Sequence, residues 1–125
     1  MSRNVSSDPI DLNASANGVQ QNGAPPQLTS FHRRELTLIL AVYGRMLGTG
    51  MARDYAIDHM RDCAVFSIFR RTSEAPLFRI EKRPKDANRQ GAWTVVSPVG
   101  GTLKRGRDLA QVLKVFDKKL IRAVD

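Results

Sequence analysis

A chain of 125 residues with 42% apolar content, one cysteine and a formal net charge of +8 is long enough for one domain around one core. It has no apolar run near the ~18 residues of a membrane span, and no apolar stretch at its start of the kind that directs secretion. The lone Cys63 forms neither an internal disulfide nor a Cys/His metal set, so a cytoplasmic setting without metal or cofactor is expected.

Residues 1–30 are rich in Ser, Asn, Gln, Gly and Pro and too poor in large aliphatics to offset the entropy of ordering them, so a disordered tail is expected there. Thr29 and Ser30 are expected to cap a helix over 31–48, with Leu36, Ile39, Leu40, Tyr43 and Leu47 as its core stripe and Gly48 and Gly50 as its stop. The alternation of Tyr55, Ile57 and His59 predicts a strand over 55–60.

Ala64 to Arg83 reads as a β-hairpin whose loop is Thr72 to Pro76. With Arg71 set opposite Leu77, Ile68 faces Ile80, and Phe66, Ile68, Phe78 and Ile80 share the core side. The same register puts Phe69 opposite Arg79 and Ser67 opposite Glu81 on the other side. Residues 81–90, EKRPKDANRQ, predict a mobile surface loop. A strand over 93–97, a turn over 98–101 and a short edge strand over 102–104 follow. The chain closes with an amphipathic helix that starts at the capping pair Asp108 and Gln111. Its stripe is Leu109, Val112, Leu113, Phe116 and Leu120, and Lys118, Lys119 and Arg122 complement the dipole at its end.

The fold class is therefore α+β: an N-terminal helix, an antiparallel β-meander of three to five strands, and a C-terminal amphipathic helix packed on one sheet face. Residues 1–30 form the tail and 31–125 a single domain.

Catalytic chemistry has little support. Cys63, His59, Asp58 and Asp62 lie close in sequence, but with strands on either side Cys63 falls in a turn, where it serves as a small spacer, and His59 reads as structural. The Gly-Thr-Gly at 48–50 follows a helix and lacks the Lys-Ser/Thr ending of a phosphate loop. No enzyme is expected.

The basic residues carry the stronger signal, because residues 31–125 hold 19 basic and 10 acidic groups and such a surface favours polyanions. Arg70, Arg71, Arg79, Lys82 and Arg83 cluster in and after the hairpin, and Lys104, Arg105 and Arg107 precede the last helix, whose amino-terminal end also attracts phosphate. Phe69, flanked by Arg71 and Arg79, is a candidate for stacking on an unpaired base. The reading is a non-enzymatic module binding nucleic acid, RNA rather than DNA. The alternative is a protein-interaction or regulatory module that dimerises or docks through the second sheet face, where Val65 and Phe69 lie.

Several motifs carry a resemblance: EL-x-x-IL-x-x-YGRM at 35–46, RDYAID at 53–58, AVFSIFRR at 64–71, RIEKRP at 79–84 and LKRG-x-x-LAQVL-x-VFDKKL at 103–120. Together they resemble a small alphaproteobacterial family catalogued only as a domain of unknown function, across residues 31 to 120. The resemblance implies a bacterial cytoplasmic setting and no catalytic residues. The order helix, strands, helix is also similar in topology to the double-stranded-RNA-binding domain, in which the basic start of the last helix grips phosphates; Lys104, Arg105 and Arg107 would stand there. The Lys-Lys-x-Ala-Lys pattern of that domain is missing.

Overall fold

Period-two alternation separated by short turns builds a meander, and the computed structural model, which describes residues 27–124, has one five-stranded antiparallel sheet in chain order. Its strands are β1 (Asp54–His59), β2 (Ala64–Phe69), β3 (Phe78–Lys82), β4 (Trp93–Val96) and β5 (Thr102–Gly106). Helix α1 (Arg33–Gly48) precedes the sheet; α2 (Leu109–Leu113) and α3 (Val115–Val124) follow it.

Successive strand residues point to opposite faces. Register therefore puts Ile57, Phe66, Ile80 and Val95 in one cross-strand row and Tyr55, Ile68 and Phe78 in the next. Every helix buries its apolar side on this face: Ile39, Val42 and Met46 of α1, Leu109, Val112 and Leu113 of α2, and Phe116 and Leu120 of α3 share one core with Phe66, Ile68, Phe78, Ile80, Trp93 and Val95. Tyr43 of α1 meets Tyr55 and Phe66 edge-on, placing α1 over β1 and β2. Phe116 meets Phe78 at 5.0 Å, placing α3 over β3, while α2 packs on β4 and β5. Burial above all, then Asp54 and Tyr55 beside it, push the Tyr43 hydroxyl above its ordinary value of 10.0.

The α+β class, the strand at residues 55–60 and the whole stripe of the last helix are as expected, and four predictions are corrected. First, the hairpin slips by two residues: Ile68 pairs with Phe78, Phe66 with Ile80 and Ser67 with Arg79. The chain after Phe69 leaves the ladder and closes its own turn, Glu74 amide to Arg71 carbonyl, so the connection is longer than expected. An even slip keeps every side chain on its predicted face.

Second, α1 is rotated. Its buried residues are Ile39, Val42 and Met46, whereas Leu40 and Leu47 are 39% and 49% exposed. Packing of α2 and α3 against α1, with Asp117 of α3 paired to Arg45, turns the expected stripe toward one shoulder. Its cap is His32, whose amide donates to Glu35 Oε1 at 2.8 Å. Thr29 instead pins the chain to the β1–β2 turn, donating from its amide to Met60 and from its hydroxyl to Arg61. Residues 1–26 of the expected tail lie outside the described residues.

Third, the 81–90 segment is not a free loop. Glu81 and Lys82 stay in β3, and Pro84–Asp86 forms a 3-10 turn whose Asp86 carbonyl accepts from the amides of Arg89, Gln90 and Gly91. Lys82 is tolerated in a strand because Glu35 neutralises it at 2.8 Å. Fourth, the closing helix breaks at Lys114, whose amide bonds three residues back to Gln111, and β5 runs two residues further than expected, through Gly106.

Candidate nucleic-acid interface

Strand parity decides which cations share a surface. On the face opposite the helices, one row runs Asp58, Val65, Glu81, Thr94, Arg105 and the next Ala56, Ser67, Arg79, Val96, Thr102. Arg83 continues the odd positions of β3, its amide donating to Ala92. Arg107 follows Arg105 and reaches the Asn88 carbonyl at 3.3 Å. Arg79 and Arg105 thus lie on one face of β3 and β5 that no described helix covers, Arg83 joins them through Glu81 just past β3, and Arg107 stands just past the end of β5.

Glu81 is the acidic residue set among them on these strands, 3.7 Å from Arg79 and 3.3 Å from Arg83. Both arginines keep nearly half of their side-chain surface exposed, 44% and 45%, so Glu81 orients them without sequestering them. Arg105 is held by neutral oxygens, those of Thr94, Gln90 and Thr102, at 3.2 to 3.5 Å. Its charge stays uncompensated among the described residues. Asp54 and Asp58 line the same face on β1, so the face is basic over β3–β5 and acidic at the β1 edge.

Phe69 is half-buried on this face, paired with Asp54 across β1. Since Ser67, not Phe69, stands opposite Arg79, the ring is a diagonal neighbour of that arginine, within reach of a long side chain. Val65, Ser67, Thr94 and Val96 are buried, so the face presents guanidinium heads rather than an apolar patch.

The remaining candidates lie elsewhere. Lys82 is on the helix-covered face, with 10% of its side chain exposed, bonded to Glu35 and the Ser30 carbonyl and 5.8 Å from the Trp93 ring centroid. Lys104 pairs with Val95 and so also faces the helices, where it lines a groove with Lys114 and Lys118. Arg70 and Arg71 are exposed in the β2–β3 connection, Arg71 3.9 Å from Glu74. The expected phosphate site at the last helix is taken: the Asp108 carboxylate accepts from the Ala110 amide at 3.0 Å, and α2 is a single short turn of helix. Lys114 and Lys118, one turn apart in the sequence, were the available signal for the lysine groove.

Cys63 is buried and no hydrogen bond joins it to His59, whose ring packs 6.3 Å from Phe31. Asp62 pairs with Lys85. Among the described residues no group of three metal-ligating side chains converges, and no helix is long and apolar enough to cross a membrane.

Neither the curated proteins nor the solved structures contain a match to the chain. A family model does match it, over residues 29–113, from the pinned Thr29 to the end of α2, well over half of the chain. The chain therefore belongs to the family described as Protein of unknown function (DUF2794).

Proposed function

We propose that the chain is a non-catalytic module that binds single-stranded nucleic acid, RNA in the first place, along the β3–β5 half of its helix-free sheet face. The observation that carries this reading is that Arg79, Arg83 and Arg105, drawn from separate stretches of sequence, share that half-face with Glu81 as the acidic residue between them, and Arg107 stands just past the end of β5. Guanidinium groups stay charged and grip phosphate through paired donors. A sheet face carrying a half-buried ring suits unpaired bases, which stack on it, better than it suits a duplex. The acidic β1 edge keeps the backbone on the arginine side. Lys82, Lys104, Arg70 and Arg71 have no part in this footprint.

The test is fluorescence anisotropy with a labelled single-stranded RNA. With about four phosphates neutralised, affinity falls about 50-fold between about 50 and 200 mM salt. Arg79→Gln and Arg105→Gln each flatten the slope, Lys104→Gln leaves it unchanged, and Phe69→Ala weakens binding roughly 5- to 150-fold without altering the slope. Absence of binding at low salt, or binding indifferent to salt, overturns the reading.

A further inference from the structure

The lysines left out of the arginine footprint have a place of their own on the helix side of the fold. Gln111, Lys114, Val115 and Lys118 recur at helical spacing and form one stripe of the closing helix. Lys104 meets that stripe from β5, and the five side chains line an open groove of about 340 Å³. That volume falls within the ~300–1,000 Å³ of small-molecule sites. All three lysines are exposed, no carboxylate lines the groove, and none of the three has an ion-pair partner among the described residues. The nearest acids in sequence are engaged elsewhere: Asp117 pairs with Arg45 at 3.3 Å, and Asp108 accepts the Ala110 amide at 3.0 Å. Like charges one helical turn apart repel, and a bound anion relieves that repulsion. Two departures from regular structure also meet here. The β4–β5 ladder shifts register between Val95 and Val96, leaving Leu103 as the extra residue immediately before Lys104. On the other wall the helix breaks at Lys114, whose amide bonds three residues back to Gln111. Bulges re-aim side chains and, like helix breaks, gather at functional sites.

We propose that this groove binds the diphosphate group of a small molecule, with Lys104 on one side of it and Lys114 and Lys118 on the other. Charge selects an anion, and the number of ammonium groups selects a compact multivalent one. A phosphate group concentrates about −1.5 to −2 of charge in a small volume, so two linked phosphates can engage all three lysines, whereas a lone carboxylate cannot. Lysine serves phosphate as a point charge, without the paired geometry that a guanidinium imposes. Gln111 adds an amide donor, and the half-buried Val115 offers an apolar wall to whatever carries the phosphates. A nucleic-acid strand suits the groove less well. No aromatic ring lines it for a base to stack on, and it lies across the sheet from the arginine face.

Isothermal titration of the full chain with inorganic pyrophosphate at low ionic strength is the test. Saturable binding is expected, with a Kd of about 10–300 µM and about tenfold tighter than that of inorganic phosphate, which cannot span the lysines. Lys104→Gln, Lys114→Gln and Lys118→Gln each weaken it about three- to tenfold, and Arg70→Gln leaves it unchanged. Pyrophosphate is expected to shift the amide resonances of Lys104, Gln111 and Val115, and thermal melts followed by circular dichroism check folding in every variant. Adenosine diphosphate separates the sources of the group: tighter binding than pyrophosphate assigns it to an organic ester, equal binding to the free diphosphate, and either supports the proposal. Absence of saturable pyrophosphate binding, affinity no better than for phosphate, or binding that the three lysine variants leave intact overturns it. Displacement of pyrophosphate by the single-stranded RNA also overturns it, with nucleic acid then the occupant. The groove and the arginine face share no residue, so failure of RNA binding leaves these readouts untouched.

Discussion

Lys82 Nζ lies 2.8 Å from Glu35 Oε1, and the same carboxylate oxygen accepts the amide of His32 at 2.8 Å. One buried ammonium thus ties the end of β3 to the first turn of α1, with the Ser30 carbonyl as its second acceptor. Removing either partner leaves a largely desolvated charge. Lys82→Met or Glu35→Leu should each cost about 2–4 kcal/mol in urea unfolding, and the double variant should recover most of the loss, since two apolar groups strand no charge.

The rotation of α1 separates two adjacent side chains. Met46 is fully buried and Leu47 is half exposed. Met46→Ala should therefore destabilise by about 2–5 kcal/mol and Leu47→Ala by about 1 kcal/mol or less, read from unfolding midpoints at low protein concentration. Equal losses would place the core on the stripe read from sequence.

Gly91 and Gly100 both have positive φ, 96° and 90°, but differ in surroundings. A Cβ on Gly91 would run into the backbone of Gly106 and Arg107, while one on Gly100 meets open space. Gly100→Ala should cost about 1–2 kcal/mol, the left-handed penalty alone. Gly91→Ala adds a backbone clash that nothing flexible can relieve. Its loss should exceed about 3 kcal/mol, and the difference should appear in the melting temperatures.

Tyr43 titrates above its ordinary value of 10.0 because burial, and then Asp54, disfavour the phenolate. The folded state keeps this proton after the unfolded chain has lost it. Its stabilising contribution is therefore complete below pH ~10 and disappears as pH rises through the folded value. In alkaline melts, Tyr43→Phe should lose stability less steeply above pH ~10 than the wild type.

Local pattern determined much of this protein: the alternating runs that became β2, β3 and β4, and the stripe from Leu109 to Leu120, are periodicities that a chain cannot bury in any other conformation. It also put Arg79 on the face opposite Phe66 and Ile80, because a two-residue slip in pairing leaves side-chain parity unchanged. Contacts distant in sequence decided the rest. Whether Ile39 or Leu40 faces inward depends on where α2 and α3 press on α1. Lys82 looks like its neighbours Arg79 and Arg83 until Glu35, 47 residues earlier, is found bonded to it. Lys104 and Arg105 are adjacent in the chain yet point to opposite faces, because β5 extends through both, and only pairing with Val95 and Thr94 makes that a strand.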